Sequence, residues 1–505
     1  MKRPFDLTNV GRINRFYSQD EASVIRGVLG EKQKALGHIK RKMKQLAEEE
    51  EAIEGDIVRL GAALLPQKHN LLPIEILSRI FILVAQDYGA VVFPIFRKFR
   101  YPRKPSQITV SHVCSRWRMV AFRTPELWCD TRLYYPKDSS DLKHVHLHQR
   151  WLMRAGTFPV TISIDFDEFW SIHQITCALK KILLPFNVRR LLLDITYEQF
   201  MALSTFSETS LSRVTEVGLA LTVHDDDWLR DMSSTHHFFT RLRSITLNGD
   251  SGVETVSCFY KLSPSLPWSQ LRCLEFRADI EDLHPIVGVL RQMPMLQSLV
   301  LMIPRTHVDT PEDVTAVSSL QDFTLLETGD DEVDSTVDLD KILRSFAFPS
   351  LMKLRLNTEG YWTGETLEII KRQYNLQSLQ DVVFMGGFTL PLSSVLCQSP
   401  MLRSLSFDRD VIFDDEAITG ISNGTLGHYL KHLEIVAACD RDAEEVIRMV
   451  EARKKMADRL IENGCTWKEE IAVLSYITIC GVYDEDKHIK RVDALEVAGI
   501  TVLFV

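Results

Sequence analysis

A hexad with apolar residues at its first, fourth and sixth places recurs between residues 188 and 435, and it restricts the possible folds more than any other feature. One example is Leu271, Leu274 and Phe276. Alternating apolar places are typical of a strand with one buried face, and one such unit cannot bury that face alone. We therefore expect the apolar places of each hexad to pack on those of the next. The ten hexads start 23 to 31 residues apart, at Val188, Val214, Leu242, Leu271, Leu296, Leu320, Leu351, Leu379, Leu402 and Leu430.

This spacing resembles the leucine-rich repeat, in which each unit is a short strand followed by a helix or a loop. The resemblance implies an irregular solenoid whose parallel strands stack their leucines in one core. The places between the leucines then face the concave side, and about ten strands at ~4.8 Å spacing extend roughly 45–50 Å. That length suits a folded protein or a long segment better than a metabolite. The alternative is a non-repeating α/β domain whose strands share the hexad by chance.

Elements that flank the hexads also follow from apolar spacing. Strands are predicted at residues 160–164, 471–479 and 499–505, and the last of these would cap the array. Residues 443–455 predict a helix, with Val446, Met449 and Val450 on its apolar face. The acidic stretch 329–340 predicts a surface loop.

A long helix is predicted over residues 22–66, which contain no proline before Pro66. It would be roughly 65 Å long at ~1.5 Å per residue. Its apolar residues share one heptad register that Lys32 and Glu50 interrupt. The helix could pair with a second copy of the chain or fold against the body of its own chain. The apolar residues are Ile25, Leu29, Leu36, Ile39, Met43, Leu46, Ile53, Ile57, Leu60 and Leu64.

The stretch from Leu72 to Leu133 predicts two or three short helices. Pro73 suits the first turn of a helix, and one apolar stripe follows it at helical spacing. Thr124 and Pro125 predict the cap and first turn of another helix. Helices this short cannot close a core alone, so they pack on a partner chain or on the rest of this chain. The two stripes are Ile76, Leu77, Ile80, Phe81 and Val84, and then Val113, Cys114, Trp117, Val120 and Ala121.

The same stretch, which opens with Leu72-Pro73-Ile74-Glu75-Ile76-Leu77 and closes with Val113-Cys114-Ser115-Arg116-Trp117, resembles the F-box of large fungal families. The resemblance implies a small all-α domain that docks on the Skp adaptor of a cullin–RING ubiquitin ligase. The alternative is a plain helical subdomain packed on its own neighbours. The positions that match the adaptor-binding ones are Leu72, Pro73, Ile76, Leu77, Ile80, Val113, Cys114 and Trp117.

Residues 86–107 form an insertion between the two halves of the F-box-like stretch. Aromatic and basic residues alternate there, as in Phe96-Arg97-Lys98-Phe99-Arg100-Tyr101. This mixture can bind nucleic acid or an anionic membrane surface. An inserted loop, partly in contact with solvent, is the interpretation that we favour.

Composition narrows the class of protein. Hydrophobic residues make up 45% and charged residues 25% of the chain, which is ordinary for a soluble globular protein. A net charge of −9 argues against a general nucleic-acid binder. The sequence has no apolar run long enough to span a bilayer and no secretory signal. We therefore expect a cytoplasmic or nuclear protein without a membrane partner.

Nine scattered cysteines, with no Cys-x-x-Cys pair, predict reduced and mostly buried thiols. Other polar clusters favour turns and surface over chemistry. Residues 249–252 resemble a protease serine loop without its histidine motif, and residues 225–227 lack calcium-loop spacing. His144, His146 and His148 predict a surface histidine cluster, with too few ligands for a metal. We expect no catalytic residue, cofactor or metal.

Together these observations predict an α/β chain with four segments: a disordered 1–21, a coiled-coil-like helix 22–66, an F-box domain 67–135 and a leucine-rich-repeat-like domain 136–505. The resemblances imply a non-enzymatic substrate-receptor subunit of an SCF-type (Skp–cullin–F-box) ubiquitin ligase. The repeats would bind a protein target, and a homodimer could form through the N-terminal helix. A repeat scaffold without ligase association and a hydrolase built on Ser251 are the alternatives. Candidate target contacts at outward hexad places are Arg243, Arg272, Arg355 and Arg403.

Overall fold

The structure is a computed structural model of the chain. It describes residues 16–64, 72–87, 91–93, 105–135, 143–166, 171–196, 199–200, 203, 211–222, 239–248, 266–277, 280, 282–304, 308–328, 338–358, 364–385, 391–407, 414–437, 440–462, 472–481 and 485–504. The chain divides into two compact units, Met1–Leu77 and Ser78–Val505.

The first unit contains the long helix α1, over Gln19–Leu64. Its start is a capping box: the Ser18 hydroxyl accepts the Glu21 N–H at 3.3 Å, and the Glu21 carboxylate accepts the Ser18 N–H at 3.0 Å. Lys44 and Glu48, one turn apart, form an ion pair at 3.7 Å. The predicted N-terminal helix is therefore confirmed, with a start three residues earlier than expected.

The second unit is built on a parallel sheet of 15 strands whose order follows the chain. The α/β class with a long N-terminal helix and a large parallel sheet is thus confirmed. The strands of this sheet are β1 (Val91–Phe93), β2 (Asp130–Tyr135), β3 (Val160–Phe166), β4 (Val188–Thr196), β5 (Glu216–Thr222), β6 (Ser244–Asn248), β7 (Cys273–Arg277), β8 (Ser298–Pro304), β10 (Asp322–Thr328), β12 (Lys353–Asn357), β13 (Asp381–Met385), β14 (Ser404–Phe407), β15 (His432–Ala437), β16 (Tyr476–Gly481) and β17 (Thr501–Phe504). Two short strands, β9 (Thr315–Ala316) and β11 (Phe346–Ala347), pair with each other.

Each of the ten hexads coincides with one strand, and the strands align place by place. The residues at the fourth place are paired in register from β4 to β15 and are all buried. Every one is apolar, so the sheet buries a continuous row of side chains worth roughly 1.5–3 kcal/mol each. The row is Leu191, Val217, Ile245, Leu274, Leu299, Phe323, Leu354, Val382, Leu405 and Leu433.

The second hexad place links neighbouring strands through its backbone. The carbonyl of Arg243 accepts the N–H groups of both Arg272 and Cys273, at 2.7 and 3.0 Å. The carbonyl of Arg403 accepts those of Lys431 and His432 in the same way, at 2.8 and 3.0 Å. These paired bonds satisfy backbone groups just before each strand begins.

Helices separate many of the strands along the chain. They are α2 (Ile74–Asp87), α3 (Ser106–Val113), α4 (Ser115–Phe122), α5 (Lys143–Leu152), α6 (Ile172–Leu183), α7 (His284–Leu290), α8 (Leu339–Arg344), α9 (Gly364–Gln373), α10 (Leu392–Gln398), α11 (Asp415–Asn423), α12 (Asp440–Glu462) and α13 (Glu485–Val497). Among the described residues, 3₁₀ helices span Pro125–Trp128, Met153–Ala155, Trp268–Gln270 and Leu376–Ser378.

An aromatic cluster fills the core beside β10. The Phe323 ring lies 4.9 Å from the Phe348 ring, which stacks on Tyr374 at 5.1 Å. Phe346 completes the cluster, 5.6 Å from Phe348. The Tyr374 hydroxyl donates to the Leu343 carbonyl at 2.6 Å, so its polar atom is satisfied although the side chain is buried.

Arg453 on α12 is buried and holds the loops at the C-terminal end of the sheet. Its guanidinium donates to the carbonyls of Ile421, Gly427, His428 and Ala472 at 2.8 to 3.1 Å. Burial lowers the pKa of Arg453 to about 10, so the side chain remains charged at neutral pH. Four backbone acceptors thereby stabilise a cation far from bulk water.

The structure contains the elements that were predicted to flank the hexad array. β3, β16 and β17 confirm the three flanking strands, and α12 confirms and extends the helix predicted at 443–455. Most of the acidic stretch 329–340 lies outside the described residues. Its last two residues, Leu339 and Asp340, begin α8 rather than end a loop, because the Asp338 carboxylate accepts the Lys341 N–H as a helix cap.

The F-box-like stretch differs from expectation in two respects. Val113 to Ala121 is not one helix, because α3 ends at Val113 and the Cys114 thiol caps α4 by accepting the Trp117 N–H at 3.4 Å. The 86–107 insertion contains a strand, β1, which pairs with β2 in the large sheet. Phe96 to Lys104 lie outside the described residues. The four predicted segment boundaries stay predictions.

Candidate protein-binding surfaces

An apolar stripe on α2 is open to solvent. Ile76, Ile80 and Leu83 recur at helical spacing and are 48%, 38% and 48% exposed. Pro73 starts the helix: its carbonyl accepts the Leu77 N–H at 3.1 Å, and its missing N–H costs no intrahelical bond there. Three apolar side chains on one face of a helix are characteristic of a surface that another molecule covers.

The opposite side of α2 faces the core of the second unit. Phe81 is buried with its ring 4.9 Å from the Trp117 ring. The Thr124 hydroxyl lies 3.0 Å from that of Ser78 and donates to the Val120 carbonyl at 2.8 Å. Thr124 therefore does not cap the Pro125–Trp128 helix as predicted, since its side chain makes no cap bond.

The helices after α2 are fixed by aromatic packing. The Trp128 indole donates to the Ala121 carbonyl at 2.9 Å and packs edge-on against Trp151 at 4.7 Å. The Arg154 guanidinium lies 4.5 Å from the Trp128 ring, a cation–π contact. Val113, at the end of α3, is 52% exposed.

The eight positions matched to adaptor binding therefore differ in accessibility. Pro73, Ile76, Ile80 and Val113 are exposed, while Leu72, Cys114 and Trp117 are partly covered. Leu77 is only 1% exposed. Its side chain can support the surface but cannot contact a partner without a change in the fold.

A second surface is the sheet face opposite the buried hexad places. Residues at the third and fifth hexad places form rows along it, and many of the polar ones pair across neighbouring strands. The cross-strand ion pairs and hydrogen bonds are Arg190–Glu216 at 3.8 Å, Thr246–Glu275 at 3.1 Å, Arg355–Asp381 at 3.5 Å and Ser406–Glu434 at 2.9 Å. Arg277 pairs with Glu275 at 2.7 Å within β7 itself.

An apolar patch on this face is formed by side chains of β8, β10 and β13, while β12, which lies between β10 and β13, contributes Arg355 and Asn357. Two rows of Cα partners cross it, one from Val300 to Val383 and one from Met302 to Met385. Arg355 stands inside the patch and is paired with Asp381 at its side. The patch is about 14 Å wide at ~4.8 Å per strand. We define it by its partly exposed apolar members, Val300, Met302, Leu326, Val383 and Met385.

The sequence analysis predicted outward arginines as target contacts and missed the apolar patch. The patch could have been found from the sequence, because apolar residues stand at the fifth place of the hexads that begin at Leu296 and Leu379. Those places face outward, so apolar residues there have no role in the core.

The four predicted arginines do not form one cluster. Arg243 and Arg272 are neighbours immediately before β6 and β7, whereas Arg403 precedes β14. Arg355 alone lies within a strand, at the centre of the apolar patch. All four are exposed, and their role in target binding stays a prediction.

The predicted surface histidine cluster is wrong for His148. This residue lies on α5 and is completely buried, with its Nε2 atom 2.6 Å from the Thr131 hydroxyl. His146 is exposed and lies 3.2 Å from the Gln149 amide, while the side chain of His144 is outside the described residues. The sequence could not show that one face of α5 packs inward. Burial lowers the pKa of His148 to about 3.

When the pH falls from 7 to 5, we expect protonation of His148 in the unfolded state to lower the free energy of unfolding of the second unit by about 2 kcal/mol. The unfolded imidazole has a pKa of 6.5 and the folded one about 3, so the unfolded state binds more protons over this range. Stability is full above pH 6.5 and falls as the pH drops towards 3. Urea unfolding at both pH values measures the effect.

The matched variant is His148→Gln, which does not titrate but retains a polar group for Thr131. In this variant the decrease in the free energy of unfolding between pH 7 and pH 5 should be about 2 kcal/mol smaller than in the wild type. The same pH dependence in both proteins would show that His148 is not the titrating group.

In the part of the chain that the structure describes, no three His, Cys, Asp or Glu residues come together to hold a metal ion. None of the six described cysteines is buried, which corrects the prediction of mostly buried thiols. Residues 225–227 and 249–252, with Ser251, lie outside the described residues. No described helix is long and apolar enough to cross a membrane.

No protein-family model matches the chain. Among curated proteins, none matches it either.

Proposed function

We propose that the chain is a substrate-receptor subunit of an SCF-type ubiquitin ligase, with the α2–α4 region acting as an F-box. The observation that carries the proposal is the exposed apolar stripe of Ile76, Ile80 and Leu83, which stands in the F-box-like stretch itself. An adaptor protein would cover this stripe and Val113. Burying four such side chains would contribute several kcal/mol, at roughly 25 cal/mol per Å².

For the large sheet, we propose an irregular leucine-rich-repeat solenoid that holds the target. The aligned buried row from Leu191 to Leu433 supports this interpretation. The apolar patch around Arg355 is the part of the outward face best suited to a protein segment, because exposed apolar residues rimmed by polar ones mark interaction sites. A target segment with apolar side chains and a carboxylate would complement it.

Under this proposal the protein performs no bond chemistry. Holding a target on the sheet and an adaptor on α2–α4 raises the local concentration of target lysines near a charged ubiquitin-conjugating enzyme. The protein would act in the cytoplasm or the nucleus, where that machinery works. It would need no cofactor, nucleic acid or membrane.

Adaptor capture tests the proposal, and we expect Ile80→Lys combined with Val113→Lys to reduce it at least about tenfold. Both side chains are exposed, so the fold should survive the change. The purified full chain would be mixed with the Skp adaptor and the retained adaptor quantified. Trp117→Ala is less suitable, because it removes a ring packed on Phe81.

Val314→Lys is the matched control, since Val314 is 52% exposed in the second unit but lies outside the F-box-like stretch. It should bind adaptor as the wild type does. If folded wild-type protein captured no adaptor, the ligase proposal would be wrong. The same surfaces would then favour the second candidate, a repeat scaffold without ligase association.

A further inference from the structure

The apolar face of α1 is exposed along most of the helix. The face is the a and d heptad positions between residues 25 and 57, and its side chains from Leu29 onward are 52% to 66% exposed where they are apolar. A helix of this length with an uncovered apolar seam is stabilised mainly by packing against another element. The apolar a positions are Leu29, Leu36, Met43 and Ile57, and the apolar d positions are Ile25, Ile39, Leu46 and Ile53.

Two charged residues interrupt this seam, and they are of opposite sign. Lys32 occupies a d position and Glu50 an a position, and both are exposed. In a parallel pair of α1 helices, each would face its own copy. That arrangement would bring two ammonium groups together in one layer and two carboxylates in another, and like charges at a seam are strongly unfavourable.

An antiparallel pair removes this conflict. Reversing one helix places a positions opposite d positions, and a two-fold axis beside Arg41 brings Lys32 of one copy opposite Glu50 of the other. The same axis aligns every other layer between residues 25 and 57 with apolar partners. These layers are Ile25 opposite Ile57, Leu29 opposite Ile53, Leu36 opposite Leu46, and Ile39 opposite Met43.

We infer that α1 is a self-association surface, on which a second copy of this chain binds antiparallel in the register that pairs Lys32 with Glu50. By symmetry the pair occurs twice, once in each half of the two-helix interface. The inference does not depend on adaptor binding or on the sheet.

An alternative antiparallel register is reached by shifting the pair by one heptad. It would place Lys42 near the partner's Glu49, but it would set Lys32 and Glu50 against apolar residues. In the chosen register, Lys40 and Lys42 instead approach their own copies at the solvent-exposed margins. Like charges at exposed positions cost little, because water and salt screen them. An unpaired charge inside the seam costs far more.

Crosslinking of the full-length protein tests the register directly. Isotopically light and heavy copies would be mixed and treated with a zero-length carbodiimide, which joins a lysine amine to a carboxylate with loss of water. We expect a light–heavy adduct between Lys32 and Glu50. These residues lie about 27 Å apart within one helix at ~1.5 Å per residue, so neither a monomer nor a parallel pair could produce it.

Charge variants give a second readout by sedimentation equilibrium. Lys32→Glu and Glu50→Lys should each raise the dimer dissociation constant by about tenfold or more, because each creates like-charged layers in place of both opposite pairs. The double variant Lys32→Glu with Glu50→Lys should return to within about threefold of the wild type. In a parallel dimer each residue faces its own copy. Like charges would therefore still face like charges after either single change, and the dissociation constant should not rise.

Three results would overturn the inference. A protein that stays monomeric at all concentrations would remove the interface. A dimer whose single charge variants bind as the wild type does would be parallel. A light–heavy adduct of Lys42 with Glu49 in place of the Lys32–Glu50 adduct would show the shifted register.

Discussion

Replacing Arg453 by methionine should lower the free energy of unfolding of the second unit by about 3–5 kcal/mol. The guanidinium is 1% exposed and donates to the carbonyls of Ile421, Gly427, His428 and Ala472. Methionine fills similar space but leaves these acceptors without their donor. Urea unfolding followed by circular dichroism measures the change.

Two matched variants make this result specific. Arg448→Met removes an exposed arginine from the same helix, whose partner Glu444 also binds Arg491, and should cost no more than about 1 kcal/mol. Arg453→Lys keeps the charge but cannot reach four carbonyls that surround a planar group, so it should rescue only part of the loss. If Arg453→Met proved as mild as Arg448→Met, the carbonyl contacts would carry little stability.

Truncating Phe323 to alanine should cost about 3–5 kcal/mol. Its ring is completely buried against Phe348 and the surrounding aromatic cluster, which cannot collapse into the space without moving β10. Thr324→Ala, the next residue on the same strand, should change stability by less than about 1 kcal/mol, because Thr324 faces outward and is half-buried.

This pair of variants also tests the hexad pattern itself. Phe323 stands at a fourth place and Thr324 at a fifth place, so the pattern predicts opposite sensitivities for adjacent residues. Comparable costs at both positions would contradict the assignment of inward and outward faces. Both free energies would be measured in urea under identical conditions, with hydrogen exchange reporting whether β10 opens locally.

Periodicity explains which parts of the fold the sequence could predict. The apolar residues of α1 and of the ten hexads recur over many residues, so chance matches are rare, and the long helix and the buried faces of the ten strands could be predicted. Val91–Phe93, by contrast, has only three residues and gains its identity as a strand from pairing with β2, far along the chain. Such a segment carries no periodic signal of its own.

Individual polar residues were the least predictable feature. In the sequence, His148 and Arg453 look like ordinary polar residues on the exposed faces of helices, yet both are buried. The partners of Arg453 are backbone carbonyls. Because every residue type has one, no sequence motif could predict the contact. The break at Cys114 was missed for a related reason, since a thiol is an uncommon helix cap. The apolar patch could have been predicted by asking which hexad places lie outside the core.

The order of the strands has a consequence for synthesis. Apart from β9 and β11, which pair with each other, every strand of the sheet pairs with the sheet strand that precedes it in the chain. A strand leaving the ribosome therefore finds the edge it needs already formed, and no strand must wait for a distant one. Growth from the N-terminal edge keeps the loops to be closed short, which favours rapid pairing. At each stage the newest edge is open to other nascent chains only until the next strand emerges and covers it, while β1 remains the strand at the other edge.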